Sequence, residues 1–436
     1  MKLNLLEFMK RTGRYFFKFA IKSCILFKPI LRLIDPKIRA RFKTRILRLA
    51  FKTLYSVESN AVVDASLKKG VTLIGYPHAE IGEGEFLRQT AKAFLKIDID
   101  FGIYNFNSKL QFRQNDQRLV PFIRSDNQNL TNIFHLKPDQ VEAFIISLGY
   151  SSVKGHYNIG YWAWELSVFP EAWMMALEYF HEIWCPSRFI QSSVSERYTR
   201  PAIYMPPAFE IEDPKGFDRS YFKLSKDKFL FLFVFDFKSY FSRKNPLGCV
   251  QAFQDAFPES NETVGLVLKS MDGKRYPHEL ARLNELIKAD PRITFIDSIF
   301  SPKEVIGLMS VCDSFVSLHR SEGLGLSIAQ SMLLGKPVIT TGYSGNTDFT
   351  RPDNSCLVDY KLIKVKEGEY PYHKGQLWAD PNIDQAAAYM RRLVEDDVYR
   401  NTVAKAGYSY IKSYHSFETV GKKYRDRLVE LGLLKT

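Results

Sequence analysis

The feature that most restricts the fold is the run from Phe315 to Thr341. Phe315-Val316-Ser317-Leu318 is a short apolar segment of the kind found in strands buried on both faces. Ser321-Glu322-Gly323-Leu324-Gly325 comes next, and its glycines let the backbone turn sharply and come close to a ligand. Leu326, Ala329, Met332 and Leu333 then recur at helical spacing. Gly335 stands where a helix C-cap belongs, Pro337 where a helix cannot continue, and Pro337 to Thr341 is the next strand. Strand, glycine loop, helix and strand in this order make an α/β unit. Its loop aims backbone N–H groups and the positive end of a helix at whatever lies above the sheet, which suits an anion. Two glycines alone would also fit an ordinary strand-to-helix connection.

The alternation runs through most of the chain. At 436 residues there is enough sequence for two ordinary cores. Val71–Ile74 reads as a strand, followed by Gly75 to Glu85 with Gly82 and Gly84, a helix through Phe86, Thr90, Ala93 and Phe94, and a strand from Phe101 to Phe106. The glycine turn thus falls at a strand's C-terminal end, where doubly wound sheets bind ligands. Gly82-Glu-Gly84 is too short and acidic for a dinucleotide fingerprint, and no Walker lysine comes after it. Asp98-Ile-Asp100 falls at the opposite end of the sheet and reads as two surface acids rather than a metal site. Asn132–His135 and Tyr157–Glu165 read as strand ends. In the second, Trp164 could cover the C–H face of a sugar while Glu165 bonds its hydroxyls. The competing account makes these aromatics core and Glu165 a cap for the helix at Pro170–Trp173. His135, His78 and His156 are further polar candidates, though a lone histidine is usually structural.

Around Pro201 to Pro214 the chain thins into a linker with Pro206-Pro207. The apolar strand Phe229–Phe235 then delivers Asp236, Lys238, Arg243 and Lys244 into one loop, and Asn245-Pro246 starts a helix. A phosphate site and a solvated basic turn both fit this loop, and the strength of the strand and the downstream Glu322 loop favour phosphate. Strands at Val264–Leu268 and Ile293–Phe295 flank a helix near Leu280–Ile287, and Ser301-Pro302-Lys-Glu304 is a capping box. Tyr343–Asp348 is a polar loop on the same side as Glu322. Closing helices run from about Ile383 to Leu433.

Charge separates one segment from the rest. Residues 1–56 hold 15 Lys and Arg against Glu7 and Asp35, which accounts for the whole net charge of +13. The neutral remainder argues against nucleic acid as a partner, because such a protein carries its basic footprint on the folded domain. Arg11, Arg14, Lys18 and Lys22 line one helical face among Phe16, Phe17, Ile21 and Phe27, and Lys37, Arg41, Arg45, Arg48 and Lys52 repeat the pattern. No apolar run there reaches the ~18–20 residues of a spanning helix, and no secretory cleavage site is visible. A basic amphipathic pair of this kind fits an anionic membrane surface or packs on the protein with a solvated charged side. Five cysteines without a Cys-x-x-Cys pair point to a reducing compartment and away from structural zinc.

The order Glu322, Gly323-Leu324-Gly325-Leu326, Gln330, Gly335-Lys-Pro337-Val-Ile339 resembles the signature of the retaining, group 1 sugar-nucleotide glycosyltransferases, which include sucrose synthase-like and mannosyltransferase enzymes. The resemblance covers about residues 70–430, more strongly in the second half. It implies a GT-B architecture: two doubly wound, Rossmann-like domains facing a cleft, here preceded by the basic amphipathic helical leader. The parts would be the leader 1–56, an acceptor-side domain 57–205, a nucleotide-sugar domain 206–415, and a helix 416–436 crossing back. By the same resemblance Lys238 and Lys244, with Arg243, neutralise the donor diphosphate, assisted by Gly323 to Leu326. Glu322 bonds the donor sugar and is catalytic with Glu165, which with Trp164 replaces the family's histidine. Gln330 stands where the family has a second acid that bonds the ribose, and its amide can do the same. Gly82, Gly84, His135 and Trp164 line the acceptor side. The implied activity is metal- and cofactor-independent transfer from a nucleoside-diphosphate sugar to a glycan or lipid-linked glycan in bacterial envelope polysaccharide synthesis. The enzyme would be cytoplasmic and peripheral on the inner face of the plasma membrane. The alternative is a degenerate GT-B domain that binds nucleotide sugar or a partner enzyme without turnover.

Overall fold

Apolar runs bounded by glycine and proline build two parallel sheets. The structure, a computed structural model, describes residues 63–106, 113–149, 152–211 and 213–435. The expected membrane-facing leader of residues 1–56 lies outside them. The first sheet holds β1 (Lys68–Gly75), β2 (Phe101–Asn105), β3 (Asn129–Phe134), β4 (Tyr157–Tyr161), β5 (Glu182–Cys185) and β6 (Ala202–Tyr204), in the order β2-β1-β3-β4-β5-β6. Its helices include α1 (Gly82–Lys96), α2 (Pro138–Leu148) and α3 (Arg188–Ser195). The second sheet holds β7 (Phe229–Val234), β8 (Val264–Ser270), β9 (Ile293–Asp297), β10 (Ser314–Ser317), β11 (Val338–Thr341) and β12 (Cys356–Val358), in the order β12-β11-β10-β7-β8-β9. Here α4 (Phe241–Lys244), α5 (Pro246–Ala256), α6 (Pro277–Ile287), α7 (Pro302–Val311) and α8 (Leu326–Leu333) make the crossovers. Every strand pairing in both sheets is parallel.

These are the two common doubly wound orders, and each reverses direction at one place. In the first sheet it lies between β1 and β3, and in the second between β7 and β10. Ligands of such sheets bind outside the strand C-termini at that place. The loops that matter are therefore those after β1, β3, β7 and β10, and they carry Gly82, His135, Lys244 and Glu322.

Buried apolar residues fill both faces of each sheet, as parallel strands require. Phe229–Val234 is apolar throughout because it lies between two such layers. The capping box at Ser301 forms as the sequence indicates, with the Glu304 N–H donating to Ser301 Oγ (3.2 Å) and the Ser301 N–H to the Glu304 carboxylate (2.8 Å). Asp98-Ile-Asp100 is a surface feature: Asp100 precedes β2 and pairs with Lys68 at 2.6 Å. Cys185, Cys249, Cys312 and Cys356 are buried and unpaired. Among the described residues no helix is long and apolar enough to cross a membrane.

After β12 an antiparallel hairpin of β13 (Tyr360–Lys364) and β14 (Leu377–Pro381) leaves the second domain, a feature the sequence does not announce. Its Val365, Tyr370 and Trp378 join the core of the first domain. Gln376 donates to the Val168 carbonyl (2.7 Å) and accepts from the Val168 N–H (3.1 Å). The chain then closes with α9 (Ile383–Glu395), α10 (Asp397–Tyr414) and α11 (Phe417–Glu430). Helix α11 lies on the first domain: Tyr424 packs against Phe94 and Trp184, and Arg427 bonds the fully buried Glu182 at 2.6 Å. Two straps from the second half of the chain thus hold the first domain.

Candidate active site

The loop after β7 begins with Asp236, whose carboxylate accepts the Lys238 N–H (2.8 Å), and Lys238 itself is exposed. The turn then passes through Tyr240 and Asn245, both with positive φ. Asn245 anchors the start of α5. Its Oδ1 caps that helix by accepting the Gly248 N–H (3.3 Å), and its Nδ2 donates to the Leu318 carbonyl at the end of β10 (2.8 Å). That pair of bonds ties the cationic loop to the glutamate loop.

Between them Arg243 and Lys244 face Glu322. Arg243 Nη1 is 3.1 Å from the Glu322 carboxylate and donates to the Ser321 carbonyl at 2.8 Å, and Lys244 Nζ bonds Glu322 Oε1. All three are largely withdrawn from water, with side-chain exposures of 6%, 19% and 12%. Burial pushes the Glu322 carboxyl up, but the charges of Arg243 and Lys244 outweigh it and hold the group well below the usual carboxylate range. His319 beneath them is buried and neutral, its pKa drawn down by burial to about 4. The cluster is a fixed, ionised group with one net positive charge in a low-dielectric pocket, where such charge acts most strongly.

The rest of the loop is locked in place. The Glu322 N–H donates to Ser344 Oγ (2.8 Å), the Gly345 N–H to the Glu322 carbonyl (2.9 Å) and Ser187 Oγ to the Gly323 carbonyl (2.7 Å). A side chain at Gly345 would collide with the Gly323 backbone, so this contact requires glycine. Gly325 has φ +94°, which glycine adopts freely, and opens α8 without a side-chain cap. The amides of Gly323, Leu324 and Gly325 have no acceptor among the described residues. Gln330, one turn into α8, is half-buried, and its side-chain amide is likewise without a partner there.

The wall supplied by the first domain differs from expectation. Trp164 is no open platform: it is 3% exposed, packs on Trp173 and Tyr370, and its indole N–H donates to the Val168 carbonyl (3.0 Å). Glu165 does not cap the Pro170 turn, because its carboxylate accepts from the Tyr370 hydroxyl at 2.6 Å. Its backbone carbonyl accepts from Ser321 Oγ, which brings Glu165 beside the Glu322 loop. His135 is 1% exposed, packs edge-on to Tyr161 and has no partner for either ring nitrogen among the described residues. Burial lowers its pKa to about 3. Gly82 is exposed at the start of α1 with open space around it, whereas Gly84 lets α1 press on the Tyr76 and Ala79 carbonyls. His78 and His156 bond the Asp116 and Asn129 carbonyls at 2.6 and 2.8 Å and are structural.

Lys137, Tyr240 and Tyr370 escape a reading of the sequence. Lys137 comes after β3, pairs with Glu83 at 2.9 Å and feels the charge of Glu165. Burial alone would lower its pKa, and those two carboxylates raise it above the ordinary lysine value. No sequence motif marks it, and only the sheet order brings it to the cleft.

Residues 231–366 match the family model of the glycosyl transferases group 1. That span contains both loops of the ionised cluster. The architecture is the two-domain GT-B fold. Similar solved structures are Anabaena HepE in complex with UDP and glucose (TM-score 0.59, 13% identity, 84% of this chain and 100% of that one) and a glycosyltransferase from Rickettsia africae (TM-score 0.59, 14% identity, 83% and 98%). The sucrose-phosphate synthase of Thermosynechococcus elongatus is another, with TM-score 0.60, 12% identity and coverage of 83% and 99%. No curated protein is significantly similar in sequence.

Proposed function

We propose that this protein is a retaining, metal-independent glycosyltransferase that moves a sugar from a nucleoside-diphosphate donor to a glycan or lipid-linked glycan. The observation that carries the reading is the Arg243–Lys244–Glu322 cluster beside the open amides of Gly323–Gly325, at the reversal point of the second sheet. A diphosphate leaving group gains charge as the glycosidic bond breaks, and two buried cations with a row of amides stabilise that charge without a metal ion. Glu322 would turn from the cations to the donor-sugar hydroxyls, and Gln330 would bond the ribose. Lys238 would add a third cation from the surface. Retention would follow attack from the face the diphosphate leaves, with no protein nucleophile. Glu165 and Lys137 are the groups best placed to meet the acceptor, and no cofactor beyond the nucleotide sugar is invoked. The basic leader of residues 1–56 would hold the enzyme to the anionic inner face of the membrane, where an envelope polysaccharide or its lipid-linked precursor is extended.

One observation favours a binding domain without turnover: His135, the histidine that follows β3 on the first-domain side, is sealed in the core. A thermal-shift screen with UDP, GDP, dTDP, ADP and CMP, without metal, separates the two when followed by a turnover assay. UDP heads the screen because HepE binds it. A ligand at a hundred times its Kd stabilises by about 2.7 kcal/mol. We expect one diphosphate to stabilise the wild type, Lys244→Ala to abolish the shift, and Glu322→Ala to abolish transfer or donor hydrolysis. Stabilisation without turnover of any matching nucleotide sugar would leave the binding domain as the better account.

A further inference from the structure

A second cationic site lies outside the proposed donor cluster. A cavity of about 230 Å³ opens between α4–α5, α6 and the β13–β14 hairpin, and its lining includes Ser242, Asn245, Arg282, Arg320, Lys366 and Glu369. Neither Lys244 nor Glu322 lines it. Three cations and one carboxylate line it, Glu369 accepts the Lys366 N–H at 2.8 Å, and a second carboxylate, Asp380, lies 3.3 Å from Arg320. The heads of Arg282 and Lys366 make no hydrogen bond or ion pair among the described residues.

Arg320 is the deepest of the three. Its guanidinium stands over Trp378 (5.6 Å), with Nη1 donating to the Ser242 carbonyl and Nη2 to Asp380, both at a long 3.3 Å. Its Nε is buried with no partner among the described residues. Two long bonds hold the guanidinium weakly, so an anion in the cavity can compete for its Nη groups. Arginine with a neighbouring lysine suits a phosphate, which takes a planar fork and a point charge together. The cavity is smaller than the ~300–1,000 Å³ that hold drug-sized ligands, so it fits a small anion.

We propose that this cavity binds a small phosphate-bearing anion, held by Arg320, Arg282 and Lys366. Such a ligand would join the hairpin loop to the body of the second domain. Arg320 also donates its N–H to the Arg243 carbonyl (2.8 Å), so the two sites share one backbone link while remaining separate.

The test is calorimetric titration of the full chain with inorganic phosphate, in a Lys244→Ala background so that the donor cluster does not contribute. Phosphate should bind Lys244→Ala, and adding Arg282→Gln with Lys366→Gln should weaken binding at least tenfold, the loss expected for charge-assisted bonds. Both side chains are exposed and unpartnered among the described residues, so that variant should melt as its parent does. Arg320→Gln is the deeper probe and should lose binding altogether where it folds. Sedimentation with phosphatidic-acid vesicles tells the phosphate's source: binding that depends on Arg282 and Lys366 assigns a lipid headgroup, and binding indifferent to them assigns a free phosphate. Phosphate affinity unchanged in the double substitution, or abolished by Lys244→Ala alone, would overturn the proposal.

Discussion

The two walls of the cleft are built from the same kind of loop, those leaving the C-terminal ends of parallel strands, but they use their polar groups differently. On the second-domain wall Arg243, Lys244 and Glu322 are ionised, buried and fixed by backbone bonds, while the amides of Gly323–Gly325 stay open. On the first-domain wall the aromatic and histidine side chains have turned inward. Trp164, Trp162 and His135 are each under 5% exposed, while Glu165, Lys137 and its partner Glu83 keep charge near the cleft. One wall holds buried charge in fixed positions, which suits the diphosphate proposed as its ligand. The other is a hydrophobic support with a few charges at its rim.

The largest expected effect comes from the second-domain wall. Glu322→Gln keeps the shape but removes the charge that Arg243 and Lys244 hold, and turnover should fall about 10²–10³-fold, the usual cost of losing one preorganised electrostatic group. Steady-state kinetics on protein shown folded by circular dichroism measures it. Activity within tenfold of wild type would mean that the cluster is structural and the walls are alike.

Gly345→Ala attacks the rigidity of the same wall rather than its charge. The added methyl meets the Gly323 carbonyl, so the Glu322 loop must shift. Overpacking of this sort costs about 1–3 kcal/mol, read from the urea midpoint, and nucleotide affinity should fall with it. A variant that loses stability and binds nucleotide normally would show that the loop need not be pinned.

Legibility in the sequence divides in the same way. Strand and helix order and the cationic and glutamate loops are readable, because parallel strands are continuously apolar and glycine and proline mark the turns. Groups whose role depends on neighbours distant in sequence are not. The spacing around Trp164 cannot tell an open aromatic face from a packed one, since that depends on Tyr370 and Tyr372, about two hundred residues later. The β13–β14 hairpin escapes notice for a related reason. Its Tyr360, Leu362 and Leu377 are exposed while Val365, Tyr370 and Trp378 enter the first domain's core, so its apolar pattern belongs to two environments.

The histidine of the inward-facing wall gives a pH signature. His135 has its pKa lowered from 6.5 to about 3 by burial, so the folded chain keeps it neutral. Below pH 6.5 the unfolded chain takes up a proton that the folded one refuses, so stability is full above 6.5 and is lost as pH falls towards 3. Each such group contributes a slope of about 1.4 kcal/mol per pH unit in that window. His319 and His415, both lowered to about 4, add to it. His135→Leu should flatten the slope by one proton in urea titrations between pH 6.5 and 5. An unchanged slope would mean that His135 titrates in the folded state and so reaches water.

The smallest effect is expected at Trp164, and it decides what the first-domain wall is for. If the indole is core, Trp164→Phe removes one hydrogen bond, to the Val168 carbonyl, and keeps most of the contact with Trp173 and Tyr370. That is about 1 kcal/mol of stability, with KM for the acceptor nearly unchanged. If the ring instead swings out to cover a sugar once the cleft is occupied, the same substitution should raise the acceptor KM several-fold with little effect on the apo melting point, because stacking energy would be gained only with the ligand. The sign of the difference between those two readouts is more informative than either size. A stability loss without a KM change keeps the acceptor site at Glu165 and Lys137, and the reverse moves it onto the tryptophan.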